Sequence, residues 1–298
     1  MMIDRVLRVA TLPRVGETVV ALSSQSHAGG KGANQAAAAA RYGARVRMLG
    51  RTGSEGEKIV DALRDAGVDS RSISTTDAVS GNATVIVSDL GENAIVISPE
   101  SNTRLSMREI ESFLSLARAG ECMLVQNECS CLAETIALAS SLSLRVWLNA
   151  APAGDLLRSL PLEQLCGLIV NEHEAFALTG ASEPHRALEL LASRVPNGIV
   201  LLTLGARGAL AASGAQRIAH LGFVVDAIDT VGCGDAFVGV FLASVQEGAP
   251  LEIALARANA AGALTATRRG AMESLPSRAE VDAAAAFPAG TRLVRGGG

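Results

Sequence analysis

Residues 229–246 read DTVGCGDAFVGVFLASVQ, a glycine-rich turn that runs straight into a long apolar helix. Gly232 and Gly234 leave backbone N–H groups uncovered where a helix N-terminus already concentrates positive partial charge. The turn is therefore predicted to bind an anion, and Asp235 is placed to accept a proton from a hydroxyl group that attacks this anion. The alternative is that Asp235 only caps the helix and stabilises it by about 1 kcal/mol.

The segments around this turn alternate between strands and helices. Short apolar runs, typical of buried parallel strands, lie at 124–126, 145–149, 168–171 and 199–203. Helices are predicted at 31–42, 57–66, 234–246 and 251–267, and the first two are followed by Gly43 and Gly67. A strand at 45–50 and a hairpin at 209–212 and 216–221 complete the series. The alternation predicts an α/β fold with a doubly wound, mostly parallel sheet flanked by helices.

A second, smaller sheet is predicted near the N-terminus. Residues 81–88 and 94–98 are rich in β-branched side chains and flank a five-residue loop, which is typical of a hairpin exposed on one face. Together with residues 6–21, this hairpin would form a sheet separate from the main one. We expect one domain over residues 1–298, with a β lid formed from about 5–28 and 81–100, and a disordered end at 296–298.

The composition excludes several classes of protein. The chain has 298 residues, of which 49% are hydrophobic and 19% charged, so it is not intrinsically disordered. A net charge of −4, scattered basic residues and an aromatic content of 3% argue against nucleic-acid binding. The apolar runs are too short to span a membrane, and the five irregularly spaced cysteines indicate reduced thiols. We therefore expect a cytoplasmic protein.

Two further glycine-rich segments are candidates for ligand contact. Residues 29–35, GGKGANQ, open a predicted helix and offer Lys31 and Asn34 as donors, although a tight turn with a solvated lysine is the alternative. Residues 203–208, TLGARG, follow a buried strand and form either a plain hairpin turn or a loop that faces a nucleotide. The first segment lacks the spacing of a Walker A loop, and the chain has no G-x-G-x-x-G fingerprint.

Residues 29–36, GGKGANQA, and 229–237, DTVGCGDAF, resemble the two signatures of the ribokinase-like (PfkB) family of sugar and nucleoside kinases. The resemblance covers nearly the whole chain, and the signatures stand in the family's order about 200 residues apart. It implies an α/β domain with a small β lid. It also implies that Asp235 is the catalytic base for a sugar hydroxyl group. Charge on the γ-phosphoryl group would be held by the backbone of Gly232, Cys233 and Gly234.

The resemblance assigns further residues by motif position, together with ATP, Mg²⁺ and K⁺ as cofactors. The implied sugar contacts are Asp4, Gly30, Lys31, Asn34, Glu128 and Asp235. The implied nucleotide contacts are Asn171, Thr203, Gly205, Gly208 and Asn259. Asn171 and Glu174 match an N-x-x-E motif that organises Mg²⁺, through water on the side of Glu174. The positions implied for K⁺ are Asp229, Val231, Thr265, Arg268, Gly270 and Ser274.

Two features depart from the family pattern. The chain begins Met1-Met2-Ile3-Asp4, without the family's first strand and the Gly-Ser of its G-S-x-N-x-D motif, and Met2 stands at the position of the asparagine. Either the start site is assigned too far downstream, or the site is altered. A missing first strand would remove a member of the main sheet and one wall of the sugar pocket. The second departure is Cys233 in the anion-binding turn. A thiol at a helix N-terminus is expected to have a lowered pKa and to be oxidisable.

The leading hypothesis is an ATP-dependent kinase that phosphorylates a primary hydroxyl group of a small sugar, most simply D-ribose to D-ribose 5-phosphate. Within the family, the alternative substrates are deoxyribose, a ketohexose, a sugar acid or a nucleoside. From another class, the alternative is a non-catalytic protein that binds a sugar or a nucleotide. A homodimer that pairs the two β lids is also expected, because pairing would cover their exposed strands.

Overall fold

The computed structural model describes residues 1–90 and 92–293, so the end at 296–298 lies outside the described residues. Its strands are β1 (Met2–Val9), β2 (Ser23–Gly29), β3 (Arg47–Thr52), β4 (Asp69–Thr75), β5 (Asn82–Ser88), β6 (Asn93–Ser98), β7 (Cys122–Gln126), β8 (Arg145–Asn149), β9 (Gly167–Asn171), β10 (Ile199–Thr203), β11 (Ala209–Ser213) and β12 (Gln216–His220). Its α-helices are α1 (Lys31–Arg41), α2 (Glu57–Asp65), α3 (Met107–Leu114), α4 (Leu132–Ser141), α5 (Glu172–Thr179), α6 (Pro184–Arg194), α7 (Cys233–Gln246), α8 (Leu251–Ala266) and α9 (Arg278–Ala285). Of the helices just named, none combines the length and the hydropathy needed to cross a bilayer.

The largest sheet has six strands in the order β12-β11-β10-β9-β8-β7. Strands β7 to β10 run parallel, and β11 and β12 are added as an antiparallel hairpin. The middle strands are apolar on both faces: Val146, Trp147 and Leu148 of β8 have no exposed surface. The strands predicted at 145–149 and 199–203 are confirmed with the same bounds, and the predicted α/β fold class is confirmed.

Helix α7 runs through the apolar core, which sets the position of the turn before it. Its residues 236–244 are buried, and Phe241 meets Trp147 of β8 edge to face at a centroid distance of 5.6 Å. Helix α1 packs against α7 at Gly239, where a Cβ atom would lie 2.5 Å from the Gln35 carbonyl oxygen. Glycine permits this close approach, and the approach brings the first turns of the two helices together.

The segments predicted to form the lid contain a four-stranded sheet with the order β2-β1-β5-β6, called the small sheet below. Strand β1 pairs antiparallel with β2 and parallel with β5, and β5 and β6 form the predicted hairpin. The prediction of sheet structure over residues 6–21 is wrong beyond Val9, because residues 10–22 form an irregular loop. This loop contains Pro13, which has no N–H group to donate to a neighbouring strand.

Strands β3 and β4 form a separate parallel pair, and no ladder of described residues joins them to the six-stranded sheet. Strand β7 is an edge of that sheet, and Arg47 of β3 reaches Glu121, the residue before β7, with a 3.2 Å ion pair. The main sheet is therefore in two parts rather than continuous. The N-terminal residues form β1 of the small sheet and contribute no strand to the main sheet.

Candidate active site

The Asp235 carboxylate faces helix α1. Asn34 donates from Nδ2 to Oδ2 at 2.9 Å, and Gln35 donates from Nε2 to Oδ1 at 2.8 Å. Gly232 is the N-cap residue of α7, so helix capping does not explain the presence of Asp235. One amide donor on each oxygen instead fixes the orientation of a carboxylate in the first turn of the helix.

The surroundings of Asp235 make it a stronger base than an exposed aspartate. Burial raises its pKa, while the hydrogen bonds from Asn34 and Gln35 and the charge of Lys31 oppose this rise. The negative charge of Glu128 raises the pKa further. A carboxylate with a raised pKa suits a group that must accept a proton in a reaction near neutral pH.

Other predicted sugar contacts gather around Asp235. Lys31 donates from Nζ to Glu128 Oε1 at 2.8 Å, and both side chains are largely buried. Burial and the negative charge of Asp235 raise the pKa of Asp4 to about 6. The structure thus brings into one cluster residues from β1, from α1, from the segment after β7 and from α7, all of which the family resemblance assigns to the sugar.

Two glycines allow the backbone to close on this cluster. Gly30 has a φ of +89°, and a Cβ atom there would lie 2.7 Å from the backbone nitrogen of Met2. At Gly29, a Cβ atom would overlap Asp4 Oδ2. Met2, at the position of the family's asparagine, is buried in β1. Asn34 Oδ1 is buried and accepts no hydrogen bond from the described residues, so the hydrogen-bonding capacity of this oxygen is unsatisfied.

The glycine-rich turn at the start of α7 is open on one side. Gly234 is exposed, and no atom lies within 4 Å of the position of a Cβ there. The Cys233 N–H donates to the Thr230 carbonyl at 3.3 Å. The expectation of a lowered pKa for the Cys233 thiol is wrong: burial and the charges of Asp229 and Asp235 raise it to about 11. These effects outweigh the partial positive charge of the helix N-terminus.

Asn171 and Glu174 form a capping box at the start of α5. Asn171 donates from N and Nδ2 to the two Glu174 carboxylate oxygens at 2.8 and 3.0 Å, and Glu174 N donates to Asn171 Oδ1 at 2.9 Å. Burial raises the pKa of Glu174, and the charge of Lys31 opposes the rise. The motif thus has a structural role that the prediction did not include. Each Glu174 carboxylate oxygen accepts one bond from Asn171 and can accept another, which is compatible with Mg²⁺ held through water.

The predicted nucleotide contacts lie at the end of β10 and on α8. Gly208 has a φ of +100°, and a Cβ atom there would overlap the His220 carbonyl oxygen, so the β11–β12 hairpin itself requires glycine. Thr203 ends β10, and Gly205 faces open space. Asn259 of α8 lies 3.2 Å from His220 Nδ1. Within the described ranges, no hydrogen bond links these positions to the cluster around Asp235.

Most of the positions predicted for K⁺ lie in two loops that Asp229 joins, whereas Thr265 lies in the last turn of α8. Its Oδ1 accepts from Val231 N and its Oδ2 from Gly270 N, both at 3.0 Å. Thr265 Oγ1 is buried and has no partner in the part of the chain that the structure describes. The remaining predicted positions of this region are Arg268 and Ser274, joined by a 3.4 Å hydrogen bond. Backbone and carboxylate oxygen atoms of two linked loops, next to the end of α8, are the type of ligand that a monovalent cation takes.

Comparison with known proteins agrees with the motifs. A profile of the pfkB family carbohydrate kinases matches residues 1–278. The chain belongs to this family. The ribokinase of Haemophilus influenzae is 34% identical over 287 residues, 93% of each chain. The deoxyribokinase of Salmonella typhi is 31% identical over 294 residues, again 93% of each. The structure of Arabidopsis thaliana ribokinase complexed with ribose and ATP superposes with a TM-score of 0.84 at 28% identity, over 96% of each chain.

Three residues of the candidate site in this pfkB-family chain are not predicted by the sequence motifs. Gln35 contacts Asp235 directly, Gln126 donates to Gln35, and His220 lies beside Asn259. Gln126 and His220 are polar residues that end strands, and the ends of parallel strands are where ligands of such sheets bind. That position is the signal that would have found Gln126. Gln35 stands next to Asn34, which the first signature already singled out.

Proposed function

We propose that this pfkB-family protein is an ATP-dependent kinase that transfers the γ-phosphoryl group to the primary hydroxyl group of D-ribose, forming D-ribose 5-phosphate. One observation carries the proposal: the Asp235 carboxylate, at the N-terminus of α7, is held by two amides beside the Lys31–Glu128 pair. The relative from Haemophilus influenzae is a ribokinase, and the Arabidopsis thaliana relative binds ribose and ATP. Both support ribose as the acceptor.

Asp235 is the general base of the proposed reaction. Its carboxylate takes the proton of the sugar hydroxyl group while the hydroxyl oxygen bonds to the γ-phosphorus and the bond from that phosphorus to ADP breaks. The negative charge of the transferred group falls beside Gly232, Cys233 and Gly234, where the first N–H groups of α7 lack partners within the helix. Positioning and charge stabilisation of this kind account for most of the catalysis in phosphoryl transfer.

The sugar is assigned to the polar cluster next to this base. Asp4 and Glu128 supply carboxylates, Lys31 supplies an ammonium group, and Asn34 Oδ1 is an acceptor without a protein partner among the described residues. Alternating donors and acceptors match the hydroxyl groups of a pentose. Gly30 lets the backbone at the start of β1 pack against the start of α1, because a Cβ atom there would lie 2.7 Å from Met2 N.

The nucleotide is assigned to the far side of the turn, beyond the carboxyl ends of β9 and β10. Its contacts are Asn171, Thr203, Gly205, Gly208 and Asn259. Mg²⁺, when bound, would neutralise charge on the phosphate groups, and Glu174 is the carboxylate that would hold its waters. K⁺, when bound, would add positive charge beside the anion-binding turn, held by the two loops that Asp229 joins.

We propose one kinase domain over the chain, in which the small sheet is a lid that closes over the sugar and pairs with the lid of a second copy. Strand β6 is an edge of the small sheet, and its Ile95, Val96 and Ile97 are 56%, 63% and 41% exposed. Neighbouring residues of a strand face opposite sides, so apolar surface is exposed on both faces of β6. A second copy would cover this surface.

Substitution of the base tests the proposed function. Asp235→Asn keeps the shape of the side chain and removes its basic carboxylate, so kcat with ribose, ATP and Mg²⁺ should fall by about 10²–10⁴-fold. ATP affinity, measured by calorimetry, should stay within about twofold because Asp235 is assigned to the sugar and not to the nucleotide. A variant with near-normal kcat would show that Asp235 is not the base.

A second candidate substrate is 2-deoxyribose, which the similarity to the Salmonella typhi deoxyribokinase supports. A panel of pentoses, hexoses and nucleosides, assayed with ATP and Mg²⁺, separates the candidates by kcat/KM. A higher value for 2-deoxyribose than for ribose would replace the proposed acceptor and leave the role of Asp235 unchanged. Binding of a sugar or ATP without any turnover would support the non-catalytic alternative.

A further inference from the structure

A chain of hydrogen bonds reaches Asp235 from the six-stranded sheet. Gln126, the last residue of β7, donates from Nε2 to Gln35 Oε1 at 2.8 Å. Gln35 donates from its own Nε2 to Asp235 Oδ1 at 2.8 Å. We propose that Gln126 is a positioning residue for the base: acting through Gln35, it determines that an N–H group, and not an oxygen, faces Asp235. This inference rests on the proposed role of Asp235.

Gln35 alone does not determine which end of its amide group faces Asp235. A primary amide has donors at one end and an acceptor at the other, and a half-turn exchanges the two with little change in shape. After such a turn, the Gln35 oxygen would lie against Oδ1 of the ionised carboxylate, and its NH₂ group would lie against that of Gln126. Both contacts are repulsive. The NH₂ group of Gln126 therefore strengthens the preference of the ionised carboxylate for the orientation in which Gln35 donates to Asp235, and it keeps that preference when Asp235 is protonated.

Burial makes this selection effective. Gln35 is 1% exposed and Gln126 is 8% exposed, so bulk water does not replace a lost partner. The second donor to Asp235 differs in this respect. Asn34 donates to Oδ2, but its own oxygen accepts no hydrogen bond from the described residues, so no neighbour holds that amide from its other end. The bond from Gln35 is thus the one that the fold orients before any ligand binds.

The two glutamines act on Asp235 without carrying charge. The charged and titratable groups that face Asp235 are Lys31 from α1, Glu128 from the segment after β7, Asp4 from β1 and Cys233 from its own helix. A hydrogen bond to the ionised form of a carboxyl group lowers its pKa. Neutral substitutions at Gln126 therefore report on the direction of the Gln35 bond and leave the charges around the base in place.

The test measures the titration of Asp235 directly. The ¹³C resonance of its carboxyl group, assigned by its loss in Asp235→Asn, gives the pKa without any turnover. In Gln126→Met, which keeps the length but cannot donate, the midpoint should rise by about half a pH unit or more. In Gln126→Glu, the new carboxylate attracts the Gln35 NH₂ group and turns its oxygen to Asp235, so the rise should be larger. Gln246→Glu, exposed on α7, adds the same charge elsewhere and should leave the midpoint unchanged.

A double-substitution cycle distinguishes an effect of Gln126 that passes through Gln35 from a general disturbance of the site. In a Gln35→Met background, Gln126→Met should no longer move the Asp235 midpoint, because the intermediate amide is gone. The acid limb of kcat/KM for ribose should move with the midpoint, while KM for ATP stays constant. If Gln126→Met fails to fold, as thermal unfolding would show, the neutral Gln126→Leu, which also cannot donate a hydrogen bond, replaces it in the test.

Different results would reject the role of Gln126 and the role of Asp235. An Asp235 midpoint that is the same in the wild type and in the folded Gln126 variants would overturn the role of Gln126. So would a shift in Gln126→Met that persists in full after Gln35→Met. Near-normal turnover in Asp235→Asn would instead reject Asp235 as the base. The ¹³C titration would then still decide whether Gln126 orients Gln35.

Discussion

Asp4, at the scale of one residue, is a proposed sugar contact whose buried charge lowers the stability of the fold at neutral pH. Burial and the charge of Asp235 raise its pKa from 3.8 to about 6. The folded chain therefore binds this proton more tightly than the unfolded chain does. Its favourable contribution to stability is fully present below pH 3.8 and is lost as the pH rises through 6. At neutral pH, the folded protein holds a charge that water would solvate better.

Asp4→Asn should reverse this penalty. The substitution removes the buried charge, so the free energy of unfolding at pH 7.5 should rise by about 2–3 kcal/mol, since one pKa unit corresponds to about 1.4 kcal/mol. Near pH 4 the gain should be small, and ribose affinity should fall at neutral pH. Urea unfolding at the two pH values and calorimetry with ribose provide the measurements. Asp77→Asn, at an exposed position, is the control. An equal gain at both pH values would contradict the assignment to ionisation.

At the scale of elements, the site depends on how helix α1 meets helix α7. The two helices supply Asn34, Gln35 and Asp235, and their first turns come together because Gly239 lets the backbone of α1 approach. A Cβ atom at Gly239 would lie 2.5 Å from the Gln35 carbonyl oxygen and 2.6 Å from Ala38 Cβ. Neither neighbour is the end of a flexible side chain. Accommodating a methyl group there requires one helix to shift.

Gly239→Ala should therefore reduce both stability and activity. Overpacking of this kind typically lowers the free energy of unfolding by about 1–3 kcal/mol. The displaced Gln35 amide should weaken the hold on Asp235, so kcat should fall more than KM for ATP changes. Urea unfolding and steady-state kinetics check the two effects. Gln246→Ala, at an exposed position of the same helix, should change neither. A Gly239→Ala protein that is as stable and active as the wild type would show that the helices repack freely.

The loops joined by Asp229 predict a response to monovalent cations. If these loops hold K⁺ beside the anion-binding turn, kcat with saturating ribose and ATP should be higher in K⁺ than in Na⁺ or in a large organic cation. Asp229→Asn should weaken this preference, because its two carboxylate oxygens join the loops through Val231 and Gly270. Equal rates in the three salts at constant ionic strength would exclude a specific K⁺ site.

At the scale of the whole molecule, the small sheet is the part that a single copy leaves uncovered. The six-stranded sheet has helices against it and a core closed around Trp147 and Phe241. Strand β6, in contrast, ends the small sheet and exposes apolar side chains on both of its faces. An uncovered apolar edge strand of this kind favours pairing with another chain. In the proposed homodimer, β6 of one copy pairs with β6 of the other copy.

Lysine side chains introduced on β6 should prevent the two copies from forming a dimer. In the double variant Ile95→Lys with Ile97→Lys, we expect sedimentation equilibrium to give the mass of a monomer, where the wild type gives that of a dimer. The matched control is Leu116→Lys, since Leu116 is 68% exposed but follows α3, away from the small sheet. A wild-type protein that is monomeric at micromolar concentration would reject the homodimer. Unchanged dimerisation of the double variant would place the interface elsewhere.

The sequence predicts the bounds of strands more reliably than it predicts which strands pair with one another. The strands at 145–149 and 199–203 were found with the same bounds, because uninterrupted apolar runs are typical of strands buried on both faces. Of the segment predicted as sheet at 6–21, the part beyond Val9 is an irregular loop, because β propensity does not show whether a neighbouring strand is available. The predicted direction of the Cys233 pKa shift is wrong, because burial, the largest effect, depends on packing that the local sequence does not show.

The order of strands and helices, the glycines of the turns and the two family signatures are properties of short segments, so the chain alone reveals them. The hydrogen-bond partners of Asp235 cannot be predicted from short segments of the chain. Gln35 lies 200 residues from Asp235 and Gln126 lies 91 residues from Gln35, and only the packing of α1 between β7 and α7 brings the three together. The basicity of Asp235 follows from that packing, because burial and hydrogen-bond direction depend on neighbours in space and not on neighbours in sequence.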